Sequence, residues 1–147
     1  MKKVKNILRN EKGLTLIELL AVVVILGIIA AIAIPAIGGI IENSKKDAYI
    51  SSAEQVLNSA RLAISTDAPE LTDLDADGTG TITTDQLIAG GLIEELKDPS
   101  DKTVDLEGTV TVDEGIITGI TLGDDTTKYV LTAEEDELKN ITRTLVE

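Results

Sequence analysis

Lys12-Gly13-Leu14-Thr15-Leu16-Ile17-Glu18-Leu19-Leu20 decides how the rest of the chain is read, because it joins a basic start to a long apolar run. Before it lie Lys2, Lys3, Lys5 and Arg9, which with Lys12 face one Glu11; after it, Leu19 to Ile41 is a stretch of 23 residues without a charge. At roughly 1.5 Å per residue such a helix spans about 35 Å, enough for a hydrocarbon core of about 30 Å, whereas a secretory apolar region has about 7–15 residues. The segment reads as a membrane-spanning helix whose basic flank keeps the N-terminus in the cytoplasm. Glu18 breaks the pattern. A carboxylate at the centre of a span costs about 2.5–3.5 kcal/mol and less near an end, so Glu18 either snorkels to the headgroups or has a partner.

The Lys12 to Leu20 stretch resembles the cleavage and assembly motif of type IV prepilins and pseudopilins: a short basic leader, Gly before the cut, and Glu five residues into the mature chain. The resemblance continues through Gly27 and Pro35 and covers roughly residues 1 to 65; many members of the family begin the mature chain with Phe where this one has Leu14. It implies cleavage between Gly13 and Leu14 by a prepilin peptidase/N-methyltransferase, N-methylation of Leu14, and passage through a pilus assembly platform. In such a stack the Glu18 carboxylate would pair with the Leu14 amine of a neighbouring subunit, since an opposite charge is the remedy for a carboxylate in low dielectric. Glu18 then sets the register between copies.

Pro35 has no amide hydrogen to donate, and Gly38 and Gly39 follow it, so the helix is expected either to bend there or to end. Continuation is favoured by Tyr49, Ala53, Val56, Ala60 and Ile64, which recur at spacings of three and four, with Ile50 and Leu57 widening the stripe. Asp47, Ser51, Asn58 and Arg61 fall largely off it. The helix is expected to stop after Ser65-Thr66-Asp67, ahead of Pro69; from Leu14 to Ser65 it would measure roughly 78 Å if straight.

Composition limits what the remainder can do. The chain has 147 residues, no Cys, no His and two aromatic residues, Tyr49 and Tyr129. Disulfides, thiolate nucleophiles, His-based zinc sites and Ser-His-Asp triads are excluded. The charge is −13, and removing the +4 of residues 1–13 leaves −17. That balance opposes binding of nucleic acid or anionic lipid by the exposed part.

Asp73-Leu74-Asp75-Ala76-Asp77-Gly78 resembles the opening of a calcium loop, with Asp85 as a fourth carboxylate. Counted from Asp73, the position of the bidentate Glu holds Thr84, and Gly80 stands where an apolar residue is usual, so a plain Asp/Gly turn accounts for much of the same pattern. Thr83-Thr84-Asp85-Gln86 reads as a capping box opening a short helical turn that ends at Gly90-Gly91. A turn is expected at Asp98-Pro99. Strands are expected at 103–106, 109–112, 116–122 and 128–132, with turns at 113–115 and 123–125; after Ala133 strand and short helix both stay open, the helix being favoured.

The sequence therefore predicts an α+β protein: a long N-terminal α-helix packed on a small antiparallel β-sheet domain. Its expected divisions are a cleaved leader (1–13), a transmembrane and filament-core helix (14–41), an amphipathic continuation (42–66) and an acidic C-terminal domain (67–147). The leading functional expectation is a non-enzymatic type IV pilin, a homo-oligomer that is a cytoplasmic-membrane precursor first and a cell-surface filament serving adhesion or motility later. A pseudopilin of a type II secretion or DNA-uptake apparatus uses the same N-terminal chemistry. A membrane-tethered calcium-binding module is the reading from another class.

Overall fold

One helix dominates the first half of the chain. In the computed structural model, which describes residues 15–68, 73–123, 127 and 129–147, α1 runs from Leu16 to Ser65 without interruption and carries Pro35 inside it. The chain divides into two units, Met1–Ile40 and Ile41–Glu147.

In the first unit the chain is helical from Leu16, and the large apolar side chains from Leu16 to Ile40 are all exposed. Water does not tolerate such a surface over some 25 residues, and this window is long and apolar enough to cross a membrane.

The second unit has its own core. Tyr49, Ala53, Val56, Leu57, Ala60 and Ala63 of α1 are buried with residues from every strand of a four-stranded sheet. The expected stripe is thus the packed face, with Ala63 in place of the half-buried Ile64 and with Ser59 also buried, its hydroxyl donating to the Leu92 carbonyl at 3.1 Å. A stripe with three alanines suits close approach of backbone to sheet, and it matches a core almost without aromatic rings. The helix stops in a Schellman arrangement: Asp67 takes a positive φ of 48°, the Ala68 amide donates to the Ala63 carbonyl, and the Asp67 amide donates to the Ile64 carbonyl.

The sheet is an antiparallel meander, ordered β1 (Gly80–Thr83), β2 (Gly108–Asp113), β3 (Ile116–Leu122), β4 (Leu131–Glu134). Alternation of buried Val110 and Val112 with exposed Thr111 and Asp113 gives β2 one core face. The β2–β3 hairpin closes through Glu114 and Gly115, both at positive φ (47° and 77°), as a two-residue turn matched to strand twist demands. Between β1 and β2 lies the short α2 (Thr84–Ala89). Its capping box is formed as expected: the Thr83 hydroxyl accepts from the Gln86 amide and the Gln86 side chain accepts from the Thr83 amide. Gly91, at φ 66°, ends it in a second Schellman turn, with the Leu92 amide donating to the Leu87 carbonyl.

The α+β class holds, and four local expectations need correction. Residues 103–106 form no strand; the Asp101 carboxylate accepts from the Thr103 amide and hydroxyl, so a local Asp turn wins and leaves one isolated bridge, Lys97 to Asp105. The fourth strand begins at Leu131, later than expected; Lys128, Asp124 and Asp125 lie outside the described residues. After Ala133 the chain makes turns and a short 3-10 helix (Arg143–Leu145) in place of an α-helix, because Val146 and Glu147 return to pair with Leu131 and Val130. Finally, β1 occupies residues read from sequence as the second half of the calcium-like loop. Thr-rich β1 takes Ile82 into the core, and Thr84 is consequently buried, its hydroxyl accepting from the Gly108 amide at 3.1 Å.

The end of the chain is fastened to α1. Arg143 forms a two-pronged ion pair with Asp47, Lys46 Nζ donates to the Val146 carbonyl at 2.6 Å, and the Tyr129 hydroxyl donates to Glu42 at 2.9 Å. The Lys46 ammonium also sits 5.5 Å from the Tyr129 ring, which meets Tyr49 edge-on at 5.7 Å. Both aromatic residues of the protein thus lie where the C-terminal segment joins the helix.

Candidate assembly site

The N-terminal start of α1 shows a feature that sequence reading missed although its signal was in view. Thr15-Leu16-Ile17-Glu18 is itself a capping box. The Glu18 carboxylate accepts from the Thr15 amide at 2.8 Å and from its hydroxyl at 2.6 Å, while the Thr15 hydroxyl accepts from the Glu18 amide at 3.3 Å. The signal is the S/T-x-x-E pattern, which here coincides with a charge inside an apolar run. The carboxylate stands in the first turn, where the helix dipole also favours negative charge.

Gly13 and Leu14, the expected cleavage pair, lie outside the described residues. Pro35 is internal to α1, so the chain keeps helical geometry past a residue that donates no backbone hydrogen bond. Gly27, Gly38 and Gly39 have open space around them: a Cβ added at any of the three would meet nothing within 4 Å. Nothing inside the chain requires glycine at these positions. Small residues on an apolar helix are what close helix-to-helix approach uses.

The acidic turn is ordered by its own hydrogen bonds. Asp73 accepts from the Gln86 side-chain amide at 2.9 Å, Asp77 from the Thr79 amide at 3.2 Å, and the Asp75 amide donates to the Thr79 carbonyl at 2.8 Å. The β2–β3 hairpin braces it, with the Gly115 amide donating to the Gly78 carbonyl and the Glu114 amide to the Thr79 hydroxyl. Asp85 stands in the first turn of α2. Among the described residues no three or more acidic side chains are grouped to hold a metal ion.

Elsewhere the electrostatics are local. The Arg143 guanidinium holds the Asp47 carboxyl below its ordinary value. Burial, and then the neighbouring Asp98 carboxylate, push the Tyr49 hydroxyl well above the ordinary tyrosine value. Asp98 is 1% exposed and its carboxylate accepts from the Ser100 amide at 2.6 Å. None of this assembles a nucleophile with a base in a closed pocket.

The prokaryotic N-terminal methylation motif matches residues 8–34. The match takes in the segment from Gly13 through Glu18 and most of the exposed apolar half of α1. Comparison with curated proteins and with solved structures gave no match. The methylation motif is the signature of type IV pilins and pseudopilins, a class of structural subunits. It implies processing by a prepilin peptidase and, with the apolar helix, fits a membrane-anchored precursor.

Proposed function

We propose that this chain is the subunit of a type IV pilus, cut after Gly13, N-methylated on Leu14, and polymerised through the apolar half of α1. One observation carries the reading. A helix opening on a capped carboxylate, Glu18, presents an exposed apolar surface from Leu16 to Ile41. A membrane covers it before assembly and neighbouring helices cover it afterwards. The open glycines at 27, 38 and 39 suit the second environment.

In the filament Glu18 pairs with the cationic amine of Leu14 in the next subunit, and the acidic unit from Ile41 onward is displayed outside. Its negative surface keeps filaments apart. Adhesion or motility is the role this display serves.

Changing Gly13 to Ala tests the processing step. The expected result is an uncut precursor of lower gel mobility, retained in the membrane, with no protein in the sheared surface fraction. Filament protein that still carries residues 1–13 contradicts the proposed cut, and a Gly13→Ala variant trimmed like wild type removes Gly13 from its recognition. Long surface filaments containing the chain separate a pilin from a pseudopilin, which yields only short envelope-spanning assemblies.

A further inference from the structure

The unit Ile41–Glu147 holds 24 acidic side chains against 8 basic ones, so a basic spot on it is the exception. Arg61 and Lys139 make one. They line a groove of about 540 Å³ floored by Ile64, Ile116 and Leu138, with Glu135 as its one carboxylate. Neither cation forms an ion pair among the described residues; Arg61 donates to the Asn58 amide oxygen at 3.0 Å. Ile116, at the hairpin end of the sheet, is 62% exposed.

Strand register puts a surface of opposite character at the other end. Asp113 faces Ile116 at the hairpin, whereas Gly108 faces Leu122 and Thr109 faces Thr83, from which α2 departs. The six residues of β2 separate these ends by about 20 Å. At the α2 end a small hollow of about 80 Å³ is lined by Asp85, Glu95, Asp105 and Glu107 around the part-exposed Ile88. Lys97 bridges Glu95 and Asp105, which leaves Asp85 and Glu107 without an ion pair among the described residues.

We infer that these two surfaces are halves of one contact: the Arg61/Lys139 groove of one copy receives the acidic face around Ile88 of the next. Each half offers an apolar anchor beside charge mostly opposite in sign to the other's, two cations against Glu135 in the groove and four carboxylates against Lys97 in the hollow, so opposite surfaces attract and like surfaces repel. A contact between different patches at opposite ends of the same unit is head-to-tail, and such a contact propagates into an open filament where a self-complementary one would close a dimer. The inference rests on the homopolymer proposed above and adds which outer surfaces meet in it.

The absence of cysteine gives a clean test. The full chain carrying both Ile116→Cys and Ile88→Cys is expressed in its host, and sheared filaments are oxidised mildly and run on a non-reducing gel. A ladder of multimers from the double variant, with neither single variant cross-linking, is the expected result. Filaments of the double variant that contain the chain but give no ladder overturn the contact, as do dimers from Ile116→Cys alone.

A charge series reads the same contact without cysteines. Arg61→Glu with Lys139→Glu should cut filament yield at least about tenfold, and adding Asp85→Lys with Glu107→Lys should restore most of it. Unchanged yield in the first variant, or no recovery in the second, counts against the pairing. Wild-type filaments that lack the chain would instead overturn the homopolymer itself, so the two failures are distinct.

Discussion

The Glu18 carboxylate accepts both the amide and the hydroxyl of Thr15, at 2.8 and 2.6 Å, and so caps the helix that it was expected to serve only as an assembly charge. Two roles now rest on one side chain, and they separate by substitution.

Glu18→Gln keeps a residue able to complete a capping box but removes the negative charge, whereas Thr15→Ala keeps the charge and loses the cap. If Glu18 pairs with the neighbour's amine, filament yield falls severely in Glu18→Gln, with membrane insertion and processing intact. Thr15→Ala should cost about 1 kcal/mol of helix-start stability and reduce yield far less. Wild-type yield from Glu18→Gln, measured in sheared fractions, would leave the carboxylate a cap and nothing more.

Tyr49 is fully buried with its hydroxyl beside the Asp98 carboxylate, itself 1% exposed. Tyr49→Phe removes that hydroxyl from a buried carboxylate and should lower Tm at neutral pH. The raised tyrosine pKa adds a pH signature. Stability from a group whose folded pKa lies above its unfolded value is complete below about pH 10 and is lost as pH rises beyond it. Thermal melts between pH 9 and about 11 should show wild type losing Tm faster than Tyr49→Phe.

The Asp47–Arg143 pair predicts the opposite limb. Its carboxyl is held below the ordinary aspartate value, so the stabilisation is present above about pH 4 and disappears as pH falls through the lowered folded pKa. Arg143→Ala should therefore lower Tm slightly at neutral pH and converge with wild type in strong acid. The pair is solvent-exposed and salt should shrink the difference. A Tm difference that grows on acidification would contradict the assignment.

Gly80 cannot accept a side chain. A Cβ there would lie 2.1 Å from the Asp73 carbonyl oxygen, at a φ of 153°, where the acidic turn folds back on β1. Gly80→Ala should strongly destabilise the second unit, seen as loss of a cooperative melt. Gly91→Ala, which has space but a positive φ of 66°, should cost about 1 kcal/mol. Equal melting of both variants would show that the close approach does not matter.

Features with strong local physics were readable in advance. The apolar run, the stripe from Tyr49 to Ile64, the Thr83–Gln86 cap and the Glu114-Gly115 hairpin each follow from spacing or from residues suited to a given backbone angle. What escaped depended on distant partners. β1 is four residues long and exists because Gly80 to Thr83 find Thr109 to Val112; nothing within it outweighed the Asp-rich turn beside it. The C-terminal segment reads as weakly helical until Val146 and Glu147 pair with Leu131 and Val130. The cap at Thr15 is legible as Thr-x-x-Glu, but in an apolar run the same Glu18 also reads as a charge that needs a partner.

Trimming after Gly13 and entry into a filament can be read on the same protein. Protein sheared from the cell surface, taken through N-terminal sequencing and intact mass measurement, tests both in one step. The expected chain begins at Leu14 and carries one added methyl group; a surface protein that still begins at Met1, leader intact, rules the cut out.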